Sequence, residues 1–171
     1  MNTKNEIRSL TMDSNFHSTQ FNSMNLLYSN LNDSESINYS YLGNYIVWSN
    51  VKENRIYIAP LNKCRVTSSG INEKKVLIND NILYSSGIAI DWIHDLVYWI
   101  DSEFRSINVA NITNPNMRYT LINNTVEEPH GIAVNPIESF IVWWCDNDAI
   151  YKSYQNGSNK KKIVDVLTVN Y

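Results

Sequence analysis

The chain has 171 residues, 43% of them hydrophobic and 12% aromatic, with a formal net charge of −3. That supplies apolar material for the core of one domain, and the slight negative charge argues against a nucleic-acid footprint or a polybasic membrane surface. No apolar run approaches the ~18 residues of a membrane span, and residues 1–9 are polar, without the apolar core of a signal peptide.

In chain order, the first patterned segment is 36–50, which ends in Val47-Trp48-Ser49-Asn50 and is followed by a loop at 62–73. From Ser86 the pattern returns more strongly. Residues 88–91 and 96–100 are β-branched, aromatic or otherwise apolar and read as two short antiparallel strands joined by Trp92-Ile93-His94-Asp95. Residues 106–110 and 117–122 supply a third and a fourth strand. The segment that starts at Ser86 recurs roughly 44 residues later, from His130, which is the self-similarity of a repeated supersecondary unit. Placing Trp48 on Trp99 brings the earlier segment into line as a fainter copy. In the last copy Asn156-Gly157 marks a hairpin turn.

Four strands in a unit of this length make a propeller blade. The expected fold is all-β: a partial six-bladed type of β-propeller, with about three and a half blades of four antiparallel strands. The expected division is 1–35 (the end of one blade and a connection), 36–86, 87–130 and 131–171. Six such blades need roughly 260 residues. A fragment is therefore expected, or a ring completed by another chain, with self-association through open blade edges if the segment stands alone. Cys64 and Cys145 fall in different units without metal spacing and are expected to be semi-buried thiols.

Tyr98-Trp99-Ile100-Asp101 resembles the Tyr-Trp-Thr-Asp signature of the YWTD propellers, the class B repeats of low-density lipoprotein receptors. The run from Gly87 to His94, the strand 106–110, and Glu128-Pro129-His130-Gly131 through Pro136 are similar to blades of the low-density, very-low-density and vitellogenin receptor group, and Asn5-Glu6-Ile7-Arg8 through Met12-Asp13 to the end of its first blade. Two copies depart from the motif. Asn50 replaces its aspartate at Trp48, and the last copy has two registers. One, without a gap, gives Val142-Trp143-Trp144-Cys145; the other, with one residue inserted after Asn135, gives Trp143-Trp144-Cys145-Asp146. The second restores the aspartate and is preferred, which sets Trp144 level with Trp48 and Trp99.

On this reading Trp48, Trp99 and Trp144 fill the wedges between blades, while Asp101 and Asp146 accept hydrogen bonds from backbone donors of an adjacent blade. The resemblance implies a non-catalytic extracellular module of an endocytic lipoprotein- or vitellogenin-type receptor in the plasma or endosomal membrane. It would engage protein ligands, cargo or the receptor's own ligand-binding repeats, and support their release and receptor recycling. It implies no cofactor, no nucleic acid and no membrane insertion by this segment. Two alternatives follow from related propellers: a Wnt co-receptor-like signalling module and, third, a calcium-dependent propeller hydrolase. His94 and His130 are the candidate pH sensors. They are expected at opposite ends of the blades, and the family's histidine ahead of the last motif strand falls near Glu138, which weakens such a switch. Asn32, Asn38, Asn111, Asn123 and Asn156 carry the N-glycan acceptor pattern, Asn38 being discounted as part of an inner strand.

Overall fold

A computed structural model describes residues 6–10, 24–29, 31, 33–61, 74–124, 128–146 and 149–165. Cys64, Asn32, the loop 62–73, Asn5 and Met12-Asp13 lie outside the described residues. All the regular structure described is strand, in three four-stranded antiparallel sheets and a two-stranded ribbon. The ribbon is β1 (Ile7–Leu10) with β2 (Met24–Tyr28). The first sheet runs β3 (Ser34–Ser40), β4 (Tyr45–Asn50), β5 (Arg55–Pro60) and β6 (Lys75–Ile78). The second runs β7 (Ser85–Asp91), β8 (Leu96–Asp101), β9 (Ser106–Asn111) and β10 (Arg118–Ile122). The third runs β11 (Pro129–Asn135), β12 (Phe140–Cys145), β13 (Ala149–Tyr154) and β14 (Lys161–Asp165). Each is a meander whose strand order is its sequence order, the plan of successive propeller blades.

The turns explain why so little sequence suffices to build each sheet. Between first and second strands, Asp91 Oδ1 accepts the N–H groups of Ile93 (2.9 Å) and His94 (3.0 Å), and Asn135 Oδ1 accepts those of Ile137 (3.1 Å) and Glu138 (3.0 Å). In the first sheet the Ser40 hydroxyl takes this part and accepts from Gly43 N–H (2.9 Å). Each such turn closes on a left-handed residue, Asn44, Asp95 or Ser139, with φ between 53° and 56°. Short polar side chains thus bend the backbone, and their recurrence is structural.

Because successive side chains alternate between faces, the motif strands β4 and β8 present buried groups on both faces of their sheets. Val47, Ile88, Val97 and Trp99 meet in one inter-sheet core; Tyr98, Ile100, Ile141 and Trp143 meet in the next. The ribbon's Ile7, Leu27 and Tyr28 cover Trp48 and Tyr57. The first strands β3, β7 and β11 lie side by side, and each begins with a bulge. They approach closely at Gly87, where a Cβ would come within 2.5 Å of the His130 carbonyl oxygen. Gly87→Ala must therefore push β7 and β11 apart. We expect a loss of about 1–3 kcal/mol, read as a lower urea midpoint at unchanged m-value.

The third sheet corrects the preferred register. Asn135 pairs with Phe140 across a turn of the same length as that from Asp91 to Leu96 and from Ser40 to Tyr45, so no residue is inserted. Trp143 stands opposite Ile132 just as Trp48 stands opposite Ile37 and Trp99 opposite Ile88. Trp48, Trp99 and Trp143 are 0%, 3% and 1% exposed, whereas Trp144 is 48% exposed. The cause is strand alternation: the ungapped register buries Ile141, Trp143 and Cys145 together, and a one-residue slip would exchange them for their outward neighbours.

Candidate functional site

At one rim of the sheets, where second strands turn into third strands, Asp101 is completely buried. Its Oδ2 accepts the Leu83 N–H (2.7 Å), while Oδ1 accepts those of Tyr84 (3.3 Å) and Phe104 (3.1 Å). One carboxylate therefore ties the connection from the first sheet to the β8–β9 turn, with charge-assisted bonds in a dry setting. The backbone repeats this closure in every sheet: Val51 donates to the Asp33 carbonyl (3.0 Å), Ser102 to Tyr84 (2.9 Å) and Asp146 to Glu128 (3.1 Å). The side chain does not repeat. Among the described residues, Asn50 holds only the Glu53 N–H (2.9 Å), and Cys145 stands at the third position.

Beside Asp101 the hydroxyls of Ser86 and Ser102 lie 2.7 Å apart and reach the next sheet, Ser102 donating to the Pro129 carbonyl (2.7 Å) and Ser86 to that of His130 (3.1 Å). Asp146 does not cap backbone donors of an adjacent sheet as expected; its carboxylate pairs with His130 Nε2 inside its own sheet. The ungapped register is the reason, since it places Asp146 level with Ser102 instead of Asp101.

The opposite rim holds a second buried carboxylate, Asp91, which is 0% exposed. Besides its turn, it takes His94 Nδ1 (2.7 Å) and Gln155 Nε2 (2.9 Å), the latter from the β13–β14 turn of the third sheet. Burial pulls its pKa upward, but the bonds from His94, from the two turn N–H groups and from Gln155 outweigh this and hold Asp91 below the usual carboxylate value. Burial, reinforced by the Asp91 charge, pushes the Tyr98 phenol up to about 12. Tyr45 is also pushed up to about 12, chiefly by burial; its hydroxyl donates to Asp95 Oδ1 (3.3 Å), joining the first sheet to the second.

His94 thus lies in the β7–β8 turn and His130 at the start of β11, at opposite ends of the inner strands. Each is paired with a carboxylate of its own sheet. Of the sequons, Asn38 spends its amide on the Ile88 carbonyl (3.2 Å), and Asn111 caps the Asn114 N–H (2.7 Å). Asn123 and Asn156 are exposed, Asn156 accepting from the backbone and hydroxyl of Ser158. Sequence reasoning missed Gln155, the serine pair, and the Arg118–Asp80 ion pair that ties β10 to the connection before β7. Only the serines carried a signal, their position relative to Asp101.

Between the rims the inner strands bound a cleft of about 360 Å³, lined among others by Asn38, Ala89, Ile90 and Val134. At its mouth Tyr41 and Leu42 are 85% and 75% exposed and Trp92 45%. Among the described residues no charged side chain lines it. Such a surface suits contact with another macromolecule more than acid–base chemistry. Among the described residues no helix is long and apolar enough to cross a membrane.

In structure, the chain is similar to a protein in a nidogen/laminin complex, with a TM-score of 0.77 at 19% identity over 95% of this chain and 59% of that one. A more distant likeness, to Kuenenia stuttgartiensis hydrazine synthase, has a TM-score of 0.58 at 16% identity over 78% of this chain and 36% of that one. In sequence it is 28% identical to mouse low-density lipoprotein receptor-related protein 5 over 115 residues (67% of the chain) and 35% identical to human receptor-related protein 8 over 69 residues (40%). To the vitellogenin receptor of Solenopsis invicta it is 28% identical over 142 residues, 82% of the chain. It spans only 7%, 7% and 8% of these relatives' lengths. Residues 95–136, from the turn before β8 through β11, match the family model for the low-density lipoprotein receptor repeat class B. With its motif strand in β8 and sheets of one plan on either side, this segment is a low-density lipoprotein receptor class B, or YWTD, propeller repeat.

Proposed function

We propose that the chain is a protein-binding platform from the extracellular part of an endocytic lipoprotein- or vitellogenin-type receptor, acting without catalysis in ligand release and receptor recycling. The observation that carries this reading is the interlocked stack of class B sheets, tied at both rims by Asp101 and Asp91, with an uncharged, aromatic-mouthed cleft between. Similarity to the vitellogenin receptor across most of the chain supports the endocytic form. Likeness to receptor-related protein 5 favours a second reading, a propeller of a signalling co-receptor. Asn123 and Asn156 are the sequons best exposed for glycans on such a module.

A release role needs a pH-responsive group, and His94 and His130 are the candidates. Each faces a carboxylate of its own sheet, Asp91 and Asp146 respectively. The test is binding of calcium-loaded, cysteine-rich ligand-binding repeats to the full chain at about pH 7.4 and about pH 5.5. We expect binding at both and tighter binding in acid. Equal affinity would remove the release role, and capture of a short Asn-containing antagonist peptide in place of the repeats would favour the signalling reading.

A further inference from the structure

We propose that Glu128, His130 and Asp146 form a zinc-binding site at the edge of the third sheet. One donor atom from each, an imidazole nitrogen and two carboxylate oxygens, lies within 4.8 Å of the others. The fold makes them converge. Glu128 directly precedes β11, His130 lies within it, and Asp146 directly follows β12, held in register by its N–H bond to the Glu128 carbonyl (3.1 Å).

Two further observations set the trio apart from a chance cluster of surface acids. First, it is a departure from the repeat. At the matching places the second sheet has Tyr84, Ser86 and Ser102, and the first has Asp33, Glu35 and Val51, neither of which includes an imidazole. Second, the imidazole is oriented before any ion arrives. Its ring stacks on the indole of Trp144, with centroids 4.6 Å apart, and that indole rests against the bare Cα of Gly131. The outward Trp144 therefore serves as the wall that aims His130 Nε2 at the carboxylates.

The donor set selects the ion. An imidazole with two carboxylates suits zinc and neighbouring first-row ions, whereas calcium and magnesium prefer all-oxygen shells. Donors around tetrahedral zinc stand about 3.3 Å apart, so Glu128 has to swing inward and the direct His130–Asp146 contact has to open. Both carboxylate side chains are placed for that movement, Asp146 being exposed and Glu128 half-buried. Three protein ligands leave a position for water or for a donor from a bound partner.

The test is a calorimetric titration of the full chain with Zn²⁺ and, separately, with Ca²⁺, together with the visible spectrum of the Co²⁺ form. We expect one equivalent of Zn²⁺ bound per chain, no comparable Ca²⁺ binding, and Co²⁺ bands of a four- or five-coordinate ion. H130A and D146N should each weaken Zn²⁺ by more than about tenfold, and E128Q by less. W144F keeps a stacking ring and should retain affinity, while losing the part of the Co²⁺-induced tryptophan quenching that comes from the stacked indole. Undetectable Zn²⁺ binding, or binding unchanged in H130A and D146N of wild-type circular dichroism, would overturn the site and leave an ordinary ion pair.

Discussion

Trp143→Ala should be among the most damaging substitutions in the chain, and Trp144→Ala among the mild ones, although the two residues are neighbours of the same type. Trp143 is 1% exposed, stacks on Tyr151 at 5.7 Å and packs against the second sheet's apolar face. Its removal leaves a cavity between two sheets that are fixed elsewhere by bulges, turns and hydrogen bonds and so cannot collapse into it. The expected loss is about 3–5 kcal/mol. Trp144 is 48% exposed and touches mainly Gly131 and the His130 ring, so its loss should cost about 1 kcal/mol or less. Urea unfolding of the two variants, followed by far-ultraviolet circular dichroism, checks both values. A larger loss for Trp144→Ala would mean that the inserted register is the one adopted in solution.

That contrast also shows where the sequence stops being informative. The strands, their order and the meander topology were legible because alternation has period two and the unit returns at a nearly fixed interval, with a polar turn residue at Ser40, Asp91 and Asn135. Trp48 and Trp99 were legible for the same reason. Val142-Trp143-Trp144-Cys145 was not, since adjacent aromatics point to opposite faces and either can be scored as the buried one. The deciding signal lies in the turns: the one after Asn135 matches the one after Asp91 without a gap, whereas restoring an aspartate at 146 requires one. The contacts that lock sheet to sheet were beyond reach for another reason. Gln155 meets Asp91, and Arg118 meets Asp80, only after the chain has turned through several strands, and neither pair belongs to the repeated pattern. The pairing of His130 with Asp146 follows from the register and is legible only with it.

Asp91→Asn is expected to lower stability by about 2–4 kcal/mol near neutral pH, because it removes a charge that four donors have been arranged around. The native carboxylate accepts from Ile93 N–H, His94 N–H, His94 Nδ1 and Gln155 Nε2 while wholly buried. An amide of the same shape accepts through one oxygen only and turns its NH₂ toward groups that are themselves donors. The pH dependence has a definite sign. The pKa of Asp91 in the folded chain lies below its ordinary value, so the unfolded chain binds its proton more readily. The contribution of Asp91 is therefore full above the unfolded carboxylate value of about 3.9 and is lost as pH falls through the lower native value. Urea midpoints measured from neutral pH down to about pH 3 should fall steeply in the acid range for the wild type and more gently for Asp91→Asn. Gln155→Ala removes one donor from the other side of the sheet interface and should lower the neutral midpoint by about a third as much, leaving the acid slope in place. Parallel acid slopes for wild type and Asp91→Asn would show that other carboxylates carry the acid sensitivity and that Asp91 is not the buried anion joining the second and third sheets.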